Sequence, residues 1–123
     1  MPEDPAKQAH LIIRARMLYG EEIAIGPGKA DLLEAIAEKG SISGAAKQMN
    51  MSYRRAWLLV NTMNHCFKQP LVISTTGGKQ GGGALLSELG VEVLKDYRTL
   101  ESALEHAAEQ YIKQLQKNLV HQE

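Results

Sequence analysis

Twenty-four residues, SISGAAKQMNMSYRRAWLLVNTMN (41–64), constrain the fold more than any other stretch. Ser43 reads as the cap of a short helix carrying Ala45, Ala46 and Met49. Asn50 stands where the chain must turn sharply, and asparagine tolerates the left-handed conformation better than any residue except glycine. Ser52 reads as the cap of a second helix running to about His65. On it Ala56, Val60 and Met63 recur at i, i+4 and i+7, an inward stripe. Two short capped helices joined by a tight turn make a helix-turn-helix, and Ala45 and Ala46 let the two approach closely.

The flanking segments complete an architecture. LIIRARMLY (11–19) alternates, with Ile13, Ala15, Met17 and Tyr19 on one face and Arg14 and Arg16 on the other, as expected of a half-buried strand. A turn and a second strand through Ile23 and Ile25 follow, then a Gly-Pro-Gly break. A first helix is expected over about 28–39, with Leu32, Leu33, Ile36 and Ala37 as its apolar stripe and Gly40 as its end. After Pro70, LVIST (71–75) and GALL (83–86) read as the two strands of a hairpin.

Between those strands lies STTGGKQGGGA (74–84), which holds five of the eleven glycines. It is not a phosphate loop. Lys79 follows Gly78, but Ile73 and Gln80 occupy the positions where that motif needs a glycine and a hydroxyl. The glycines instead let a hairpin tip lie flat against a partner, and the tip's place behind the helix-turn-helix makes it a wing. Charge identifies the partner class. Residues 1–39 hold seven acids and five bases, and residues 84–123 hold seven acids and four bases. Residues 40–83 hold Lys47, Arg54, Arg55, Lys68 and Lys79 and no acid, so nothing there repels phosphate.

From Ser87 onward the pattern is helical to about 119. Leu86, Val93, Leu100 and Ala107 recur every seven residues, as do Tyr97, Leu104 and Tyr111. The helix looks too long for one small domain to cover, which predicts self-pairing with Val93, Tyr97, Leu100, Leu104, Ala107 and Tyr111 at a homodimer interface. The alternative is an amphipathic helix packed only on its own domain.

The fold class expected is mainly α with small β hairpins: a winged helix-turn-helix with an N-terminal strand pair and a long C-terminal dimerisation helix. Residues 1–10 are expected to be a disordered tail, since MPEDPAKQAH is polar and carries two prolines. Residues 11–123 form a single domain, with the helix-turn-helix at 41–66, the wing at 70–86 and the dimerisation helix at 87–119. Cys66 is the only cysteine, so no internal disulfide is possible and a reducing, cytoplasmic compartment is expected. The longest aliphatic and aromatic run, Trp57 to Val60, is far short of the ~20 residues a membrane helix needs. No membrane partner is expected.

Candidate contacts follow from position. Arg54 and Arg55 lie in the first turn of the second helix, where recognition helices meet base edges; one is expected to read a base and the other to hold phosphate. Tyr53 is a phosphate or base contact, or packs. Trp57 lies off the inward stripe, half exposed near DNA or packed under the wing. Ser43 and Ser52 place helix N-termini where phosphates can be received. Lys47, Thr75, Thr76 and Lys79 suit backbone contacts that carry no sequence information, and Gly77, Gly78 and Gln80 complete the wing tip. Asn61 and Asn64 suit structural or solvated roles. His65 and Cys66 are adjacent on a helix and point apart, with no second ligand pair, so no metal and no cofactor is expected. No catalytic constellation is evident, and an enzyme is not expected.

At GSISGAAKQMNMSYRRAWLLVNTMN and QPLVISTTGGKQGGGALLSELG the chain resembles the DNA-binding domain of molybdate-responsive, ModE-type transcriptional regulators, over about residues 11–100. That domain is similar to the winged helix-turn-helix at the start of LysR-type regulators. The resemblance implies a molybdenum-related, sequence-specific regulator that binds double-stranded DNA at an inverted-repeat operator as a homodimer. Members with a sensor carry two further β domains that bind molybdate. This chain resembles the single-domain branch, so direct molybdate binding is not expected. Arg54-Arg55 stands where sensor-bearing members often have Lys-Ser, and Gln80 interrupts a glycine run, so their operator is not carried over. Two other functions fit the residues less well: a protein-interaction adaptor of the same fold, which the acid-free middle disfavours, and a small oxyanion-binding protein built on the glycine loop.

Overall fold

The computed structural model describes residues 9–75 and 83–120. Strands β1 (Met17–Tyr19) and β2 (Glu22–Ile25) form an antiparallel pair around Gly20, with an irregularity between Met17 and Leu18. Helix α1 (Pro27–Lys39) follows directly. The Gly-Pro-Gly segment is therefore the start of this helix, because proline at the first helical position has its φ already set and lacks only an N–H the helix would leave unused. Gly40 ends it at φ 73°, donating its N–H to the carbonyl of Ile36 at 2.8 Å.

Helix α2 (Ile42–Gln48) is capped by Ser41, whose hydroxyl accepts from the Gly44 N–H at 2.9 Å. The expected cap, Ser43, lies inside the first turn. The side chain that serves is the one three residues before a free N–H, and Gly44 offers that N–H to Ser41. Asn50 takes φ 55°, the left-handed turn expected of it, and the Met51 N–H closes back on the Ala46 carbonyl at 3.0 Å. Ser52 then caps helix α3 (Tyr53–Cys66) through the Arg55 N–H at 3.0 Å. Strands β3 (Val72–Thr75) and β4 (Gly83–Leu86) pair antiparallel, from Val72 opposite Leu86 to Thr75 opposite Gly83. Helix α4 (Glu88–Gln116), capped by Ser87, has 29 residues and spans about 43 Å.

Leu32, Leu33 and Ile36 of α1 form the centre of the core. Ala45 and Ala46 of α2, Ala56, Val60 and Met63 of α3, and Leu71, Val72 and Ala84 of the hairpin close around them. The alanines keep the three helices close, and the outcome is a winged helix-turn-helix. The hairpin crosses α4 at Gly90. A Cβ there would stand 2.1 Å from the Leu71 carbonyl oxygen, so only glycine fits. Gly90 is the place where helix and wing pack tightest.

Three further expectations need correction. The N-terminal strand is Met17–Tyr19, not 11–19, and Ile13, Met17 and Tyr19 are exposed. The alternating pattern is present, but β2 is only four residues long and residues 11–16 have no strand to pair with. Tyr97, expected at a subunit interface, is only 4% exposed. It packs into its own core, and its hydroxyl donates to the Ala15 carbonyl at 2.8 Å. Helix α4 also ends at Gln116, short of the expected 119.

Candidate nucleic-acid interface

Helix α3 turns about 100° per residue, which fixes what each side chain faces. Ala56, Val60 and Met63 point inward and are buried. Directly opposite stand Arg54, Leu58, Asn61 and His65, the outermost edge of the helix. Tyr53, Trp57 and Asn64 share one flank, and Arg55, Leu59 and Cys66 the other. Tyr53 is 56% and Trp57 46% exposed, large aromatic surfaces for residues of a small domain. Among the described residues no carboxylate forms a salt bridge with Arg54, Arg55 or Lys47.

The wing lies on the Tyr53 flank. A cleft of about 380 Å³ there is lined by Ser41, Ser43, Tyr53, Ser74, Thr75 and Gly83, among others. It brings three of the expected contact residues, Ser43, Tyr53 and Thr75, from three different elements to one hollow. Thr75 closes the hairpin base by accepting the Gly83 N–H at 3.0 Å, and the Ala84 N–H docks β4 on the Gly40 carbonyl at 2.9 Å. Asn64 fixes β3 to α3: its side-chain oxygen accepts from the N–H groups of Leu71 and Val72 at 2.8 and 3.1 Å, and its amide donates to the Val72 carbonyl at 3.1 Å. Thr76, Gly77, Gly78, Lys79 and Gln80, the expected wing-tip contacts, lie outside the described residues.

On the opposite flank, Arg55 lines a second cleft, with Arg14, Arg16, Lys29, Met49, Met51 and Leu59. Sequence reasoning missed Arg14, Arg16 and Lys29 at this site, because alternation assigned the two arginines to a strand's solvent face. Only tertiary packing shows that the segment before β1 and the first turn of α1 meet α3. The Lys29 ammonium donates to the Ile23 carbonyl. Partial burial pulls its pKa below the usual lysine value, against the attraction of Cys66 and Glu22.

Away from both clefts, Arg98 of α4 binds Asp31 and Glu34 of α1 at 2.7 Å each and Glu101 at 2.8 Å. Burial alone would lower its pKa, but the hydrogen bonds it donates to the three carboxylates outweigh that and raise it. This latch, also absent from the sequence reading, sets the angle at which α4 leaves the domain. Among the described residues no group of three or more His, Cys, Asp or Glu side chains is placed to hold a metal ion, and no helix is long and apolar enough to cross a membrane.

Residues 29–91, from the first turn of α1 into α4, match the family of bacterial regulatory helix-turn-helix proteins of the lysR type. The chain is 43% identical over 83 residues to the molybdenum-pterin-binding protein MopA of Rhodobacter capsulatus, covering 68% of this chain and 31% of that protein. It is 41% identical over 101 residues to the molybdenum transport protein ModE of Azotobacter vinelandii, covering 77% and 37% respectively. It is 37% identical over 93 residues to the DNA-binding transcriptional dual regulator ModE of Escherichia coli K12, covering 76% and 35%. The chain thus spans about a third of the length of these relatives.

Proposed function

The chain belongs to the lysR family of bacterial regulatory helix-turn-helix proteins, and from that premise we propose that it is a sequence-specific, DNA-binding transcriptional regulator. The observation that carries the proposal is the outer edge of α3. An exposed first turn, Tyr53-Arg54-Arg55, stands on a serine cap with its arginines free of carboxylate partners among the described residues. In that position a helix enters the major groove with its N-terminal residues at base edges. Arg54, farthest from the core, is the base reader, and arginine meets guanine through two parallel hydrogen bonds. Arg55, turned to the flank, holds phosphate.

Ser43, Lys47, Ser52, Tyr53, Trp57 and Thr75, with Thr76, Gly77, Gly78, Lys79 and Gln80 of the wing, complete the DNA-binding set. The wing follows the backbone beside the groove that α3 occupies. The protein acts as a homodimer through the exposed side of α4. Two α3 helices then meet successive major grooves about 34–36 Å apart on an inverted repeat. The compartment is the cytoplasm. The molybdenum-related names of its relatives support a role in the control of molybdenum handling.

Selection of bound sites from random duplex DNA, followed by titration over a salt series, tests the reading. The expected result is an enriched inverted repeat and an affinity that falls steeply with salt. Absence of binding to any duplex at low salt would instead mark an adaptor that keeps the fold without the activity.

A further inference from the structure

The recognition helix is flanked by two clefts, and the reading above uses the one away from the wing only through Arg55. The other, about 310 Å³, collects Arg14 and Arg16 from the segment before β1, Lys29 from α1 and Arg55 from α3. Four cations from three elements converge on it, and no carboxylate lines it among the described residues. Glu22 acts on Lys29 through space without lining the cleft. Arg14, Arg16 and Arg55 have no salt-bridge partner among the described residues. Among the described residues, like charges gathered with Glu22 as the one carboxylate acting on them repel, so the arrangement is stabilised by an anion arriving from outside.

The shape selects the anion. The cleft opens beside α3 on the side away from the wing, and Arg55 belongs to both the cleft and the recognition helix. A duplex seated against Arg54 and Leu58 has one backbone strand toward the wing and the other toward this cleft. Met49, Met51 and Leu59 supply an apolar wall suited to a sugar face. Gly28 leaves open space at the first turn of α1, and the stem of Arg16 lies against Gly26, which caps that helix without a side chain. These features add a favourable helix dipole, but the proposal stands on the cations.

We propose that Arg14, Arg16 and Lys29, with Arg55, grip the sugar–phosphate backbone of duplex DNA on the side of the recognition helix opposite the wing. The proposal rests on the regulator reading and extends it. DNA is held from both flanks of α3, by the wing on one and by the N-terminal segment on the other. The second grip reads no bases.

The test is anisotropy titration of a selected duplex by the full chain over a salt series, for wild type, R14Q, R14Q/R16Q and R14K/R16K. Each phosphate contact contributes about 0.9 to the slope of log affinity against log salt. The expected slope is shallower by about 0.9 per bound subunit in R14Q and about 1.8 in R14Q/R16Q. R14K/R16K keeps the wild-type slope, and every variant keeps the wild-type preference over a scrambled site. Arg14 is exposed, so R14Q remains informative if loss of the Arg16 stem disturbs α1. A wild-type slope in both glutamine variants overturns the proposal and leaves the regulator reading standing. Failure of the wild type to bind any duplex sinks both. Stabilisation of the wild type by inorganic phosphate or molybdate, abolished in R14Q/R16Q, with an unchanged salt slope, would assign the cleft to a free oxyanion and overturn the proposal as well.

Discussion

Arg54 and Arg55 are neighbours in sequence, yet helical geometry turns them in different directions. Arg54 lies opposite the buried Ala56–Val60–Met63 stripe, and Arg55 turns into the cationic cleft. Arg54→Ala is expected to cost about 1–3 kcal/mol of binding to the preferred site and to relax discrimination at one base position. Arg55→Ala is expected to weaken all sequences alike and to flatten the salt slope by about one unit. Competition between the selected site and single-base variants separates the two, and identical losses of discrimination would contradict the assignment. At Gly90 the constraint is steric. Gly90→Ala sets a methyl 2.1 Å from a backbone oxygen, so β3 or α4 must shift. Overpacking of this kind costs typically about 1–3 kcal/mol, read as a lower urea midpoint, and a wild-type midpoint would mean that the wing floats on α4.

At the scale of elements, the helix-turn-helix is legible because its signals are local. Asn50 and Ser52 act through neighbours two to four residues away, and periodicity marks the α3 stripe. What depends on distant partners is not legible. The alternation of residues 11–19 has the form of a strand, but a strand needs a neighbour, and β2 reaches only three residues of it. Ser43 reads as the cap of α2, yet the Gly44 N–H goes to Ser41, two residues earlier. Tyr97 fits the heptad pattern as well as Tyr111 does, because a heptad stripe looks the same whether it meets its own core or another subunit. Asn64 likewise carries no signal that it will staple β3 to α3. Asn64→Ala removes three hydrogen bonds and strands two backbone N–H groups, an expected loss of about 2–4 kcal/mol. Asn64→Asp keeps the two acceptor bonds and falls between the two in thermal denaturation. A neutral alanine variant would show that water replaces the staple.

At the scale of the whole molecule, α4 connects what the other elements hold apart. Its first half is fixed to the domain by the Arg98 latch, by Gly90 against Leu71 and by Tyr97. The Tyr97 hydroxyl holds the carbonyl of Ala15, the residue between Arg14 and Arg16, so α4 also anchors the segment that carries the proposed second DNA grip. Burial raises the Tyr97 pKa above its ordinary value, with a smaller push in the same direction from Glu101. The folded protein therefore keeps a phenolic proton that the unfolded chain releases near pH 10. The resulting stability is complete below that pH and is lost as pH rises through the folded-state value, because the unfolded state then binds fewer protons. Tyr97→Phe should remove this alkaline loss while costing on the order of 1 kcal/mol at neutral pH for the orphaned carbonyl. Urea midpoints of the two proteins from pH 8 to 11 should converge, and parallel curves would refute the burial account.

The second half of α4 leaves the domain behind: Leu100 is 40% and Tyr111 64% exposed, and Leu115 is equally bare. With Tyr97 occupied by its own core, the proposed pairing between copies would fall to Leu100, Leu104, Ala107 and Tyr111. None of these belongs to the buried core, so charge can be placed there without unfolding the chain. Leu100→Glu/Tyr111→Glu puts like charges across a two-fold interface and is expected to sediment as a 13.5 kDa monomer with an unchanged helical spectrum. Because each subunit then binds alone, its affinity for an inverted repeat should drop to that for a single half-site, while Arg54 still discriminates bases within it. A variant that remains dimeric would move the interface off α4 to the exposed apolar hairpin of Leu18 and Tyr19. Half-site spacing would then be set from the N-terminal side of the domain.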